Sequence, residues 1–282
     1  MVEDRPWLNF LSHLVLIVGV FIVAFPVYVA LIASTHGPDD FLSGRIPLLP
    51  GNHGLEAYKA MLSTGMSTSG APPLGGMMLN SLIMAMGIAV GKIAISILSA
   101  FAIVYFKFPF RGLAFWMIFI TLMLPVEVRI FPTYKVVADL GMLNSYPGLI
   151  MPLIASATAT FLFRQVFLTI PDELVEAARI DGAGPMKFFR DILLPLSRTN
   201  IAALFVIMFI YGWNQYLWPL LITTDSDMYT IVAGIKRMST VADSDPQWNY
   251  IMATAILAML PPLLVVIFMQ RLFVKGLVET EK

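Results

Sequence analysis

Few residues in this chain could do chemistry, and the clearest candidate is a lysine that follows two glycines. Gly87, Gly91 and Lys92 resemble a phosphate-binding P-loop, in which backbone N–H groups and a lysine hold a nucleotide phosphate. The spacing is one residue too short, and Ile93 stands where the motif requires serine or threonine. The sequence therefore predicts no ATP hydrolysis by this chain alone. The two glycines instead predict a face on which helices pack closely.

Composition argues against the other common kinds of catalytic site. The chain has no cysteine, and its three histidines, at positions 13, 36 and 53, fit no metal-ligand spacing. No pairing of a nucleophile with a base is evident. We therefore predict that the chain is not itself an enzyme and binds no metal or cofactor of its own.

Four polar residues lie within or beside long apolar stretches: Lys92, Arg129, Asn214 and Gln215. A charge inside a membrane is costly, so Lys92 should face the interior of the helix bundle or water. It could form a structural ion pair or line a solute path. Arg129 could mark the membrane surface or contact solute, and the two amides could equally bond neighbouring helices. All four are candidates for a substrate path.

The most polar run in the chain is 171–195. Pro171, followed by two acidic residues, is typical of the start of a helix, and Gly182 predicts its end. A second short helix could begin at Pro185 and end before Pro195. The run therefore predicts a helix, a glycine turn and a helix.

The first of these helices carries an apolar face of small side chains. Leu174 falls three and four residues before Ala177 and Ala178, so the three share one side of the helix. Such a face can approach another surface closely. The alternative is an amphipathic loop that rests on the bilayer.

Apolar helices must position these residues. Of the 282 residues 58% are hydrophobic and 13% are charged, which leaves too little polar surface for a soluble domain of this size. The formal charge is zero, so nothing indicates a nucleic acid partner. The predicted fold is an all-α polytopic membrane domain over 1–282. Its six predicted spans are 14–33, 79–106, 113–131, 149–167, 199–224 and 246–270.

Six spans place both termini on one side of the membrane. With the termini inside, most of the 18 basic residues fall on the inner side, which favours cytoplasmic termini. The segment 169–198 is then a cytoplasmic loop, and 34–76 and 225–245 are the first and third outside loops. A cleaved signal peptide is the alternative for the first span. Trp213, Tyr216 and Trp218 are typical of an aromatic belt at the membrane interface.

The polar segment also carries a resemblance. Glu176-Ala-Ala, Gly182 and Ile192-x-Leu194-Pro195 resemble the cytoplasmic signature loop of permease subunits in bacterial binding-protein-dependent ABC importers. In that family the loop forms coupling helices, which sit in a cleft on the ATP-hydrolysing subunit. The residues that the resemblance implies as ATPase contacts are Leu174, Glu176, Ala177, Ala178, Asp181 and Gly182.

The resemblance extends over nearly the whole chain. The chain is similar to the carbohydrate, or maltose-type, branch of these permeases. Within that branch it resembles the second permease subunit of sn-glycerol-3-phosphate importers. The runs that carry this similarity are 3–7, 121–132, 155–165 and 211–219. The resemblance implies a type I importer permease fold that forms half of a path for sn-glycerol-3-phosphate and glycerophosphodiesters. Another sugar or oligosaccharide is the alternative solute.

The same resemblance implies partners and a location. They are a second permease subunit, a homodimeric ATPase that binds ATP and Mg, and a periplasmic solute-binding protein in contact with 225–245. The location would be the bacterial inner membrane. A secondary carrier is disfavoured because the spans hold no relay of charges, and a glycerol channel because no Asn-Pro-Ala repeat occurs.

Overall fold

The computed structural model describes residues 6–42, 44, 48–66, 70–121, 126–240 and 245–278. Regular structure in these residues is helical, apart from an isolated antiparallel bridge between Met66 and Ala71. The predicted all-α class is confirmed. Parts of the predicted loops 34–76 and 225–245 lie outside the described residues.

The helices follow the apolar runs of the sequence. The first eight are α1 (Pro6–Ala33), α2 (Glu56–Ser63), α3 (Leu74–Tyr105), α4 (Arg111–Ile120), α5 (Val126–Asp139), α6 (Tyr146–Ile150), α7 (Ala157–Leu168) and α8 (Asp172–Ile180). The remainder are α9 (Pro185–Phe188), α10 (Leu194–Leu196), α11 (Arg198–Trp213), α12 (Leu217–Ile222), α13 (Ile231–Met238), α14 (Trp248–Ala258) and α15 (Leu260–Val278).

Three helical stretches are long and apolar enough to cross a membrane: Trp7–Ala33, Leu74–Tyr105 and Trp248–Gln270. Two helix pairs pass the same test when each is taken as one broken span. They are Tyr146–Leu153 with Ala157–Leu168, bent by 51°, and Pro185–Leu196 with Arg198–Trp213, bent by 73°. The predicted third span, 113–131, is not seen as one long helix. Within it α4 ends at Ile120 after only 10 residues, and 122–125 lie outside the described residues. The count of six spans stays a prediction.

The chain divides into two compact units, the first of which comprises 1–75 and 234–260. In this unit α14 packs against α1 and α2. Only 6% of the apolar window within α1 is buried, so its exposed side chains are suited to lipid or a partner subunit. The segment after α1 is ordered by side-chain bonds: the Tyr28 hydroxyl donates to the Leu48 carbonyl at 2.8 Å, and the Gly51 N–H donates to Thr35 Oγ1 at 2.8 Å.

The second unit comprises 76–233 and 261–282, and most of α3 belongs to it. Gly87 and Gly91 on α3 lie directly against Ile150 and Ile154. A Cβ atom added at either glycine would come within 2.6 Å of an isoleucine side-chain carbon. Only glycine allows this approach, so the predicted close-packing face is confirmed.

A hydrophobic cluster fills this unit at one end of α3. Its buried members are Met84, Ile88, Ile130, Val137, Leu149, Leu153, Trp218 and Ile222. The prediction that Trp213 and Trp218 form an interfacial belt is wrong, because both are buried inside the chain. Trp218 Nε1 donates to the Gly148 carbonyl at 3.1 Å, so its N–H is satisfied by protein rather than by head groups. Tyr216 is exposed.

Candidate functional site

The polar segment 171–195 forms the predicted helix, glycine turn and helix. Pro171 caps α8 with an extended backbone, and α8 ends at Ile180. Gly182 follows in the left-handed conformation, with φ of +71°. Its N–H donates to the Arg179 carbonyl at 3.0 Å, and the next N–H, of Ala183, donates to the Ala178 carbonyl at 2.8 Å. These two bonds form a Schellman motif, so the predicted stop at Gly182 is confirmed.

The two sides of α8 have different surroundings. Ala178 is buried and, with Val175, lines a cavity of about 270 Å³ against Tyr105 and Phe188. Leu174 and Ala177, which were predicted to share one apolar side with Ala178, are exposed, so that side is only partly covered. The predicted contact residues Glu176, Asp181 and Gly182 are exposed as well. Ala178 therefore lets α8 lie close to its own chain, while the other five are available to a partner.

Two exposed apolar residues in this segment were not among the predicted contacts. Ile180 is 86% exposed and Met186 is 64% exposed, although both side chains are large and apolar. An isoleucine in the last turn of a short polar helix, directly before Asp181 and Gly182, was the available sequence signal. Solvent-exposed apolar side chains next to polar ones are typical of an interaction surface.

The second short helix is longer than predicted. After α9 the chain continues through a π-helical turn, Phe189–Leu193, into α10, which ends at Leu196. The Leu194 N–H donates to the Phe189 carbonyl, five residues back. Pro195 therefore lies within this helical stretch rather than after it, so the predicted end before Pro195 is wrong.

Aromatic rings attach this segment to the end of α3. The Phe189 ring lies 4.9 Å from the Phe101 ring, and the Phe188 ring lies 5.3 Å from the Tyr105 ring, centroid to centroid. Both phenylalanines are buried. These ring contacts join α9 and the π-helical turn directly to α3.

Lys92 and Arg129 line one cavity of about 510 Å³. Lys92 on α3 is only 6% exposed, and its Nζ lies 3.6 Å from the centroid of the Tyr211 ring, a cation–π contact. Arg129 on α5 is exposed. Hydroxyl-bearing residues make up much of the remaining lining; they are Ser99, Thr121, Ser156, Thr158 and Thr160. None of the described residues that line this cavity is acidic.

Asn214 and Gln215 lie apart from that cavity. They follow α11, and their backbone N–H groups donate to the carbonyls of Ile210 and Gly212 at the end of that helix. Neither side chain lines the cavity that holds Lys92. The structure therefore groups Lys92 with Arg129 and separates both from the two amides.

Asn80, which the sequence analysis missed, holds together the opposite end of α3. It is 4% exposed, and its Nδ2 donates to the carbonyls of Asp227 at 2.7 Å and Tyr229 at 3.0 Å. Its Oδ1 accepts a bond from the Tyr146 hydroxyl at 2.7 Å. The only sequence signal was a lone amide near the start of an apolar stretch.

Asn144 makes a second attachment to the same region. Its Oδ1 accepts bonds from the N–H groups of Thr224 at 2.7 Å and Asp225 at 3.1 Å. Its Nδ2 donates to Thr224 Oγ1 at 2.8 Å. The start of the predicted outside loop 225–245 is therefore fixed by two asparagines from different parts of the chain.

Comparison with known proteins places this geometry among transport proteins. The sequence family described as "Binding-protein-dependent transport system inner membrane component" matches residues 92–279. Three similar relatives carry the name sn-glycerol-3-phosphate transport system permease protein UgpE. They come from Brucella melitensis biotype 1 at 62% identity, Agrobacterium fabrum at 61% and Escherichia coli O1:K1 at 59%, each over 282 residues and 100% of both chains.

Two solved structures show the same fold. One is a bacterial ABC transporter involved in the import of the acidic polysaccharide alginate, with a TM-score of 0.80, 17% identity and coverage of 96% of this chain and 98% of that chain. The other is the bacterial alginate ABC transporter in complex with an alginate pentasaccharide-bound periplasmic protein. Its TM-score is 0.63 at 16% identity, with coverage of 94% of this chain and 93% of that chain.

Proposed function

Because the chain belongs to the binding-protein-dependent transport system inner membrane component family, we infer that it is a permease subunit of an ATP-driven importer of sn-glycerol-3-phosphate. The assignment of sn-glycerol-3-phosphate as the solute rests on the full-length identity to the sn-glycerol-3-phosphate transport system permease proteins. Glycerophosphodiesters contain the same glycerol phosphate group and are proposed as further solutes. The chain would form half of the path in the inner membrane, and a second permease subunit would form the other half.

The exposed side of α8 is the proposed docking surface for the ATPase. Ile180 and Met186 offer apolar contact area there, and Glu176 and Asp181 offer charge beside it. ATP and Mg would be bound by the partner, a homodimeric ATPase. The ring contacts of Phe188 and Phe189 with α3 would then carry movement of the ATPase into the membrane.

The proposed contact with a periplasmic solute-binding protein lies at 225–245. Asn80 and Asn144 hold the backbone of residues 224–229, so a protein that bound this part of the loop would meet a fixed backbone. Both termini would then lie in the cytoplasm, on the side of the ATPase. The excess of basic residues in the segments assigned to that side supports this orientation.

Solute uptake tests the proposed function directly. Cells that lack other glycerol phosphate uptake systems would express the complete importer with or without this chain. We expect accumulation of labelled sn-glycerol-3-phosphate only when the chain is present and the ATPase is active. Accumulation of a maltooligosaccharide instead, or uptake that does not depend on the chain, would contradict the proposal.

A substitution on α8 tests the docking surface. Ile180→Glu should greatly reduce copurification of the ATPase, because it places a charge in an apolar contact. The melting temperature of the chain itself should not change, since Ile180 is exposed. Leu140→Glu is the matched control, because Leu140 is also a largely exposed apolar residue but lies far from α8 in sequence, after α5. Normal copurification of Ile180→Glu would refute docking at this position.

A further inference from the structure

The described side chains that line the cavity include two cations, Lys92 and Arg129, and no carboxylate. Among the described side chains, no carboxylate lies within ion-pairing distance of either residue. The Tyr211 ring stabilises the Lys92 ammonium but does not neutralise it. Two cations that face one partly buried space repel each other, and an anion between them would remove that repulsion.

A helix terminus adds to the positive potential of this cavity. Residues Ser156, Ala157 and Thr158, where α7 begins, line the same space as Lys92. The first N–H groups of a helix have no partner within the helix, and they form the positive end of its dipole. The 12-residue helix α7 therefore presents this end toward the two side-chain cations.

The chemistry of these groups indicates the ligand. We propose that this cavity binds the phosphate group of the transported solute as a phosphate monoester dianion, with Lys92 and Arg129 as its two charged contacts. The inference rests on the proposed function and identifies where that function meets the charge of the solute. A cavity of about 510 Å³ has room for a glycerol phosphate.

Each part of the site has a separate role. Lys92 is held in position by burial and by the Tyr211 ring, so its Nζ lies at one wall of the cavity. Arg129 is exposed and long, so it can approach the phosphate from the side of α5 with two N–H groups. The hydroxyls of Ser99 and Thr121 already donate to carbonyls of their own helices. These two hydroxyls therefore have no second hydrogen to donate to a phosphate.

The test uses the complete importer in proteoliposomes, with its binding protein outside and ATP inside. We expect Lys92→Met to lower uptake of sn-glycerol-3-phosphate about tenfold or more, as expected for loss of a charged hydrogen bond. Arg129→Gln should also lower uptake of sn-glycerol-3-phosphate. Lys92→Arg should restore a substantial part of it, because the charge returns. Lys135→Met is the matched control on α5, since Lys135 is exposed and does not line the cavity.

Assembly separates a phosphate contact from a structural role. With Lys92→Met, the subunits should copurify as they do in the unsubstituted importer. Uptake unchanged by Lys92→Met would overturn the phosphate site, and so would loss of uptake together with loss of assembly. An unsubstituted importer that takes up no sn-glycerol-3-phosphate would instead refute the proposed function.

Discussion

The two ends of α3 are held by different kinds of interaction. At the end that begins with Leu74, buried Asn80 and Ser81 form directional hydrogen bonds to Asp227, Tyr229 and Ile231. At the other end, the contacts with the segment after α8 are aromatic. Phe101 and Tyr105 meet the rings of Phe188 and Phe189 there beside a cavity of about 270 Å³.

This difference matters for a permease. A buried hydrogen bond fixes both the distance and the direction of its partners, and its loss leaves polar groups unpaired. At the other end the Tyr105 hydroxyl donates one bond, to the Phe167 carbonyl at 3.2 Å. The contacts with Phe188 and Phe189 are between rings, so packed helices can shift there without leaving a polar group unpaired. In the proposed orientation, the end of α3 near Leu74 is its outer end and the end near Tyr105 is its inner end. We infer that α3 is fixed at the outer end and can be displaced at the inner end, where the ATPase is proposed to act.

Replacement of Asn80 should have the largest effect on stability. Asn80→Leu removes three hydrogen bonds, those to the carbonyls of Asp227 and Tyr229 and the one from the Tyr146 hydroxyl, at a side chain that is itself buried. We expect the free energy of unfolding to fall by about 3 kcal/mol, roughly 1 kcal/mol for each bond. Thermal melting of the purified protein in detergent measures this.

The control for Asn80 is another asparagine in a different setting. Asn214→Leu replaces an exposed amide beyond the end of α11 and should change the melting temperature little. Equal melting of the two variants would mean that the outer end of α3 is not held by its hydrogen bonds. The contrast between the two ends would then be lost.

Replacement of Phe188 should have a smaller effect on stability and a clearer effect on coupling. Phe188→Leu removes the ring contact with Tyr105 but leaves no polar group unpaired. We expect a loss of about 2 kcal/mol in the free energy of unfolding. We also expect less solute imported per ATP hydrolysed, because α9 would no longer move α3 as directly.

Uptake and ATP hydrolysis measured on the same reconstituted sample give this ratio. Phe131→Leu is the control, since Phe131 is 75% exposed on α5 and packs against little of the chain. A normal ratio for Phe188→Leu would show that ring contacts do not carry the movement. If Phe188→Leu lost more stability than Asn80→Leu, the ring contacts would hold α3 more strongly than the hydrogen bonds of Asn80.

Local patterns predicted much of the fold. The apolar runs predicted α1, α3 and the helices after 246. Gly87 and Gly91 predicted a close-packed face, which lies against α6 and the residues that follow it. The helix, glycine turn and helix of 171–195 was also predictable, because capping depends on neighbouring residues. The bends at 51° and 73° were not predicted, since they depend on how broken helices pack.

The site was less predictable because its contacts are distant in sequence. Asn80 bonds to residues 147 and 149 positions away, and no helical period indicates such pairs. Lys92 was identified by its charge in an apolar stretch, but its grouping with Arg129 rather than Asn214 depends on the arrangement of α3, α5 and α7. Ile180 was missed because a sequence does not show which apolar residues remain in water.

The smallest effect tests whether the inner end depends on backbone conformation as well as on rings. Gly182 has φ of +71°, and a Cβ atom added there would meet nothing within 4 Å, so Gly182→Ala introduces strain without a clash. The left-handed conformation should lower the free energy of unfolding by about 1 kcal/mol and loosen the end of α8. Thermal melting and copurification of the ATPase measure the two consequences.

Two further variants, Gly184→Ala and Gly182→Asn, are the controls for Gly182→Ala. Gly184 has φ of −71° and open space around it, so Gly184→Ala should be neutral in both measurements. Gly182→Asn should lie between the two alanine variants, because asparagine tolerates the left-handed region better than alanine does. If Gly182→Ala and Gly184→Ala behaved alike, the Schellman turn would not be what positions the exposed side of α8, and the ring contacts alone would define the inner end.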